Sequence, residues 1–445
     1  MTPIDTLIAA RWVIPVEPHG AVLDHHSLAI GGGRILDVLP TAIAATRYRA
    51  AETVELPVHA LIPGLVNAHT HAAMTLLRGV ADDLPLMEWL QDHIWPLEAR
   101  WVGEAFVRDG TTLAIAEMLR GGTTCFNDMY FFPEVTARRA LQAGMRAVVG
   151  MIVVDFPTSW ASDADEYLEK GLALHDELCS QDLVRTSFAP HAPYSVSDPP
   201  LSRVRTLSEE LDRPIHMHLH ETDAEIEQTR GSHGMRPLQR LRQLDFLNPN
   251  LVAVHMTHLL PEEITELART GVNVVHCPES NLKLASGFCP VASLLEAGVN
   301  VAIGTDGAAS NNDLDMFGEM RTAALLAKAV ARQAGALPAA AALRMATLGG
   351  AKALGMEQEI GSIAVGKAAD LTAVDLSSLE TLPLYDPISD LVYAAGRHLV
   401  SDVWVAGRRL LKRRELTTLD IEEVAANAVR WRQRLECNSK QMGDH

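Results

Sequence analysis

Between about residues 57 and 360, short apolar runs alternate with longer stretches of helical spacing. Eight such runs can be counted. They are LIPGLVNAHTH (61–71), GGTTCFNDM (121–129), MRAVVGMIV (145–153), VRTSFAPHAPY (184–194), RPIHMHLHET (213–222), LVAVHMTHL (251–259), VNVVHCPES (272–280) and VNVAIGTDG (299–307). Continuous Val/Ile/Leu runs without alternation are the pattern of parallel strands covered on both faces. The stretches between them, such as Leu201–Leu211, Pro261–Thr270 and Val291–Ala297, space their apolar residues as helices do. Eight strand-plus-helix units in roughly 250–300 residues predict an α/β fold, a (β/α)8 TIM barrel. A doubly wound open sheet is the rival, but no G-x-G-x-x-G follows an early run.

The flanks follow a different pattern. Residues 1–56 read as short strands around a glycine turn at 31–33, and residues 361–415 read in the same way. The two β-rich segments predict one small β-sandwich, formed by the N- and C-terminal segments beside a barrel at 57–360. Residues 416–445 are expected to end the chain in a helix. Its stretch TLDIEEVAANAVRWRQRLE (418–436) is acidic early and arginine-rich late, which suits a helix dipole.

Composition narrows the partners. The chain has 445 residues, 48% of them hydrophobic, with 38 basic against 56 acidic residues and a net charge of −18. A surface that negative repels polyphosphate, so neither nucleic acid nor an anionic membrane is an expected partner. A small uncharged molecule is compatible with it. The five cysteines are scattered and form no C-x-x-C pair, which fits a reducing compartment. The first residues lack the build of a signal peptide, and runs such as Ala147–Val154 are too short to span a membrane. A cytoplasmic enzyme is the expectation.

The polar chemistry falls at the C-terminal ends of the runs: His71, Asp128, His191, His218, Glu221, His255, Glu279 and Asp306. Catalytic residues of TIM barrels gather at that mouth. His69 and His71 are two apart, so a strand presents both imidazoles on one face. The fifth run offers His216, His218 and His220 on one face, and spacing does not choose among them. Two or three histidines with a carboxylate such as Asp306 suit zinc, with a position left open for water. The H-E-x-x-H, G-x-S-x-G, P-loop and cytidine-deaminase patterns do not occur.

PGLVNAHTH, HLHET and GTDGAASNN together resemble the amidohydrolase superfamily, in its adenosine-type deaminase branch. HAAMTLLRGVADDLPLMEWL, NDMYF, APHAPYSVS, NLKLASG and IGTDGAASNNDLDMFGEM are similar to the 5′-methylthioadenosine/S-adenosylhomocysteine deaminase family, and the likeness runs over nearly the whole chain. The resemblance implies hydrolytic deamination of an adenine nucleoside at C6, giving the inosine analogue and ammonia. It implies one zinc per subunit on His69, His71, His218 and Asp306, a set that also accepts Fe2+, Co2+ or Mn2+. The fourth run offers no lysine at its end to bridge a second ion.

Glu221 then matches the proton shuttle, worth about 10²–10⁴-fold in rate. A plain helix-start carboxylate is the alternative reading for that residue. His255 would orient the attacking water, and Asp306 would relay the second proton to the departing amine. Trp89 and Glu98 match residues enclosing the ribose, His191 a donor to N3, and Ser310 a partner for N7. His258 and His276 carry no assigned role. The resemblance also implies a homo-oligomer.

One departure bears on substrate. Relatives that handle S-adenosylhomocysteine well can carry an arginine near the end of the third strand. Here Met151 stands at about that place, with no arginine from 147 to 184. An apolar side chain suits a methylthio group better than a carboxylate, so 5′-methylthioadenosine is the expected preference. The alternatives are a guanine, pterin or s-triazine deaminase or chlorohydrolase of the same superfamily, and, from another class, a non-enzymatic barrel scaffold.

Overall fold

The computed structural model describes the backbone of residues 1–442 and the side chains of residues 1–436. The expected terminal helix spans Ile421–Met442, while residues 443–445 and the Cys437 side chain lie outside what is described.

Sixteen strands form two eight-stranded sheets among the described residues. The N-terminal flank supplies β1 (Thr2–Val13), β2 (Leu23–Gly31), β3 (Arg34–Pro40) and β4 (Tyr48–Pro63). The eight apolar runs become β5 (Leu65–Thr70), β6 (Thr123–Asp128), β7 (Arg146–Val153), β8 (Val184–Pro190), β9 (Ile215–Leu219), β10 (Leu251–His255), β11 (Asn273–His276) and β12 (Val301–Ile303). The C-terminal flank supplies β13 (Leu371–Asp375), β14 (Val400–Val405), β15 (Arg408–Lys412) and β16 (Glu415–Leu416).

Strands β5 to β12 pair in parallel and in sequence order, as a TIM barrel requires. Nearly every residue in them is buried, which explains why the runs do not alternate. The barrel nearly closes between β12 and β5, through bonds that lie partly outside the strand ladder. The Asp306 amide donates to the His69 carbonyl at 3.0 Å, and the Thr305 amide donates to Asn67 Oδ1 at 3.0 Å. Gly304 makes this seam possible, because a Cβ there would stand 2.8 Å from both the His69 Cβ and its backbone nitrogen.

The two flanks meet in one continuous sheet, of order β16-β15-β14-β13-β4-β1-β2-β3, joined where β4 pairs antiparallel with β13. It has its own apolar core around Ile8, Leu28, Ile30, Leu371 and Trp404. Strand β4 runs through residue 56 and hands the chain to β5 across Gly64, so the expected boundary at 56/57 falls inside a strand.

Barrel and flank sheet are tied by a buried ion pair. Arg146, opening β7, sets Nε 2.8 Å from Asp370 Oδ2 and Nη2 3.2 Å from Oδ1, and both side chains are at most 4% exposed. Asp370 also accepts from the Ala406 amide at 2.7 Å. Asp370→Ala would leave a buried guanidinium without its counter-charge, and we expect it to lose about 3–5 kcal/mol. Urea unfolding followed by tryptophan fluorescence measures this. An unchanged midpoint would mean that the pair is replaced by water.

After β5 the chain leaves the barrel through a 3-10 turn (Ala72–Leu77), a π-turn (Trp89–Ile94) and a short helix (Trp95–Trp101). This excursion packs in a satellite core with Trp431 of the terminal helix. The Trp431 ring meets Trp101 and Phe106 edge-on, at centroid distances of 6.2 and 5.2 Å, and its indole N–H donates to Asp109 at 2.9 Å.

Candidate metal centre and active site

The ends of β5, β9 and β12 converge. One donor atom each from His69, His71, His218 and Asp306 lies within 4.8 Å of the others. The second ring nitrogens are held from outside. His71 Nδ1 lies 2.6 Å from the Met129 carbonyl, and His218 Nδ1 lies 2.8 Å from the His191 carbonyl. A carbonyl only accepts, so these Nδ1 atoms carry protons, which leaves the Nε2 lone pair of each neutral ring to face the cluster. Those two Nε2 atoms stand 3.3 Å apart, and Asp306 Oδ1 is 3.1 Å from His69 Nε2 and 3.2 Å from His71 Nε2.

Acceptors packed this closely repel one another, and a cation among them reverses the sign. Burial works against protonating His71, yet Asp306 and the Met129 carbonyl lift its imidazole to about 9. Positive charge is favoured at this spot. Three neutral imidazoles with one carboxylate are a donor set that zinc takes. Ser280 and Ser310 donate to the other Asp306 oxygen, at 2.6 and 2.9 Å, and fix its plane.

The three-way ambiguity in β9 is resolved by depth along the strand. His216 lies one step deeper, with Nε2 2.8 Å from His69 Nδ1, where it orients that ligand. His220 lies beyond the cluster and accepts from the Leu238 amide at 3.1 Å. Two strand-end residues, His255 and Asp306, take left-handed backbone, with φ of 75° and 63°. That geometry disfavours non-glycine residues by about 1–2 kcal/mol each, and strain of this kind collects at functional sites.

Glu221 is not a helix-start carboxylate. The following helix, Asp223–His233, is capped by the Thr222 side chain, which accepts from the Glu225 amide at 3.2 Å. Glu225 accepts the His220 and Glu221 amides at 2.9 and 2.8 Å, and Thr257 Oγ1 lies 2.7 Å from the Glu221 carbonyl. The Glu221 backbone is thus gripped at both its amide and its carbonyl, leaving the carboxyl to the cavity. Burial lifts that carboxyl above its ordinary value; His255 pulls against the shift and Asp306 adds to it. His255 Nε2 stands 3.7 Å from Glu221 Oε2, and its Nδ1 lies 2.9 Å from Asn281 Oδ1.

Over the cluster opens a cavity of about 930 Å³. Trp89, Glu98, His191, Glu221, His255 and Ser310 line it, together with three of the four cluster residues; His69 sits fully buried behind them. The Trp89 indole nitrogen is buried without a protein partner. Tyr130 donates to Glu98 at 2.7 Å. Burial depresses His191 to about 3, with His71 and His69 adding to the effect, so it enters the cavity as neutral imidazole.

Other residues stand elsewhere. Met151 is turned out of the barrel toward Gly171 of the next helix, and Ile152 and Val154 occupy the cavity wall instead. Adjacent strand residues point to opposite faces, and a one-residue difference in phase decides which face is seen. Asp128 holds the turn after His71 by accepting from the Ala72 amide at 2.7 Å, and Glu279 accepts from Thr322 at 2.8 Å. The His258 ring bonds to the Ser286 carbonyl. Glu225, Thr257, Asn281, Ser280 and Tyr130 carry no role that the sequence alone shows. Glu225 acts on the His220 and Glu221 amides just before it, whereas the other four act through partners far away in the chain, of which local pattern carries no trace.

Residues 60–410 match the amidohydrolase family. A 5-methylthioadenosine/S-adenosylhomocysteine deaminase of Saccharophagus degradans is 50% identical over 435 residues, 98% of each chain. One of the same name from Teredinibacter turnerae is 52% identical over 434 residues, again 98% of each chain. Among solved structures, an adenosine deaminase from Xanthomonas campestris with bound zinc superimposes with a TM-score of 0.97 at 59% identity, covering 98% of this chain and 99% of that one. Atrazine chlorohydrolase TrzN of Arthrobacter aurescens, at 23% identity and a TM-score of 0.90, covering 96% of this chain and 99% of that one, shares the fold.

Proposed function

The chain belongs to the amidohydrolase family, and we propose that it is a zinc-dependent deaminase that hydrolyses the 6-amino group of an adenine nucleoside to the 6-oxo group. The observation that carries this reading is the His69–His71–His218–Asp306 cluster lying beside the Glu221 carboxyl at the floor of one cavity with room for a nucleoside. His69, His71, His218 and Asp306 would hold the zinc, which would supply Lewis acidity and lower the pKa of water to roughly 7.

The remaining work falls to side chains. Glu221 takes a proton from the attacking water and delivers it to N1, so the new C6–O bond forms as the ring nitrogen accepts the displaced electrons. His255, its Nδ1 proton held on Asn281, keeps Nε2 directed at the water. Asp306 relays the second proton to the amino group as the C6–N bond breaks and ammonia leaves. Trp89 and Glu98 enclose the ribose, and Glu98 accepts from its hydroxyls. His191 donates to N3, and Ser310 serves N7 once its hydroxyl turns from Asp306. A bare-base substrate would leave the second Glu98 oxygen and the Trp89 indole N–H without a partner, which favours a nucleoside over guanine, pterin or s-triazine.

Zinc-loaded protein given adenosine, 5′-methylthioadenosine or S-adenosylhomocysteine should shift the purine absorbance and release ammonia. Failure on all three would overturn the reading.

The outer cavity favours 5′-methylthioadenosine. Its wall includes Phe131, Ile152, Val154 and Phe156, and the arginine there, Arg240, is committed to Asp198 at 2.6 Å and to two backbone carbonyls. An amino-acid carboxylate would lose water here without gaining a free cation. We expect kcat/KM for 5′-methylthioadenosine to exceed that for S-adenosylhomocysteine by about ten-fold. Equal values would sink the preference. A cytoplasmic homo-oligomer that binds neither nucleic acid nor membrane completes the proposal: the net charge of −18 disfavours polyphosphate and anionic lipid, and the oligomer rests on the family resemblance.

A further inference from the structure

Three consecutive residues at the end of β6 hold two different parts of the cavity. Asp128 accepts from the Ala72 amide at 2.7 Å, fixing the turn that follows the metal-binding pair. The Met129 carbonyl holds His71 Nδ1 at 2.6 Å. Tyr130 then donates its phenol proton to Glu98 Oε1 at 2.7 Å. No other side-chain hydrogen bond to the Glu98 carboxylate occurs among the described residues. Glu98 itself rides on the Trp95–Trp101 helix, part of the excursion that leaves the barrel after β5.

We infer that Tyr130 is a positioning residue: by gripping one oxygen of Glu98 from the segment that also holds His71, it sets the distance from the ribose acceptor to the metal cluster and confers recognition of the ribose hydroxyls. The inference rests on the reading of Glu98 as the ribose acceptor. Its physical basis is straightforward. A carboxylate that takes both vicinal hydroxyls must hold one plane, and a glutamate has three rotatable torsions to order before it can. The phenol of Tyr130 is buried in the satellite core with its ring 5.5 Å from that of Phe131, so it approaches Glu98 from a fixed direction. Burial pushes the Glu98 carboxyl up, and the Tyr130 proton opposes this, which favours the ionised, accepting form.

The test compares Tyr130→Phe with the parent enzyme on 5′-methylthioadenosine and on its 2′,3′-dideoxy analogue. For the ribonucleoside, KM should rise about ten-fold with kcat nearly unchanged, the value of one hydrogen bond to a charged group. For the dideoxy analogue the variant and parent should be alike. Zinc content should not change. Adding Tyr130→Phe to Glu98→Gln should cost little more than Glu98→Gln alone, because the two act as a unit.

An equal loss on both nucleosides, or a fully additive double variant, would assign Tyr130 a merely structural role and overturn the inference, with deamination itself left standing. A parent enzyme that turns over neither nucleoside would overturn the functional reading instead, and this inference with it.

Discussion

Glu221→Gln should lower kcat by about 10²–10⁴-fold while the protein keeps its zinc. The amide has the size of the carboxyl but neither takes nor returns a proton at neutral pH. Glu221 is not among the four clustered donors, so the ion has no reason to leave. The fold around it has no reason to shift either, because the grip of Glu225 and Thr257 falls on backbone atoms that the substitution keeps. Single-turnover kinetics with metal analysis on the same sample separate the two quantities. Turnover within ten-fold of the parent would mean that the proton path runs through another group.

Removal of the metal should have the largest effect. Dialysis against a chelator is expected to bring turnover below about 10⁻⁴ of the zinc-loaded value, given how little of water is ionised at neutral pH without a Lewis acid. Returning zinc should restore the rate and also raise the melting temperature, since a ligand that binds only the folded chain stabilises it by mass action. The thermal shift reads the site independently of catalysis. In His218→Ala both responses should vanish, because the cluster loses the donor from β9 while the seam between β5 and β12 is untouched. Full activity in metal-free protein would dismiss the cluster as the source of the nucleophile.

A centre built this way is legible in the sequence to an unequal degree. The barrel is visible because burial on both faces writes itself into the chain as unbroken Val/Ile/Leu runs, and all eight runs became strands. The His69–His71 pair is visible because a strand repeats every two residues. The phase of a run is less visible. The sequence puts Met151 near the substrate's outer wall, yet Ile152 and Val154, one and three positions on, are the residues that face the cavity. Nothing within MRAVVGMIV marks which of two apolar faces turns inward, since both are buried.

What the sequence determined alone was therefore the inventory: eight buried strands, the imidazoles and carboxyls at their ends, and flanks rich in β-structure. Tertiary structure decided which of those groups meet. His218 became the ligand instead of His216 or His220 only when β5 and β12 set the depth at which three bare acceptors converge. Thr257, Asn281 and Tyr130 acquired their roles only when distant segments brought them a partner. The physical reason is range: periodicity records a neighbour two to four positions away, whereas an ion or a shared proton is held by groups that folding alone brings within about 3 Å.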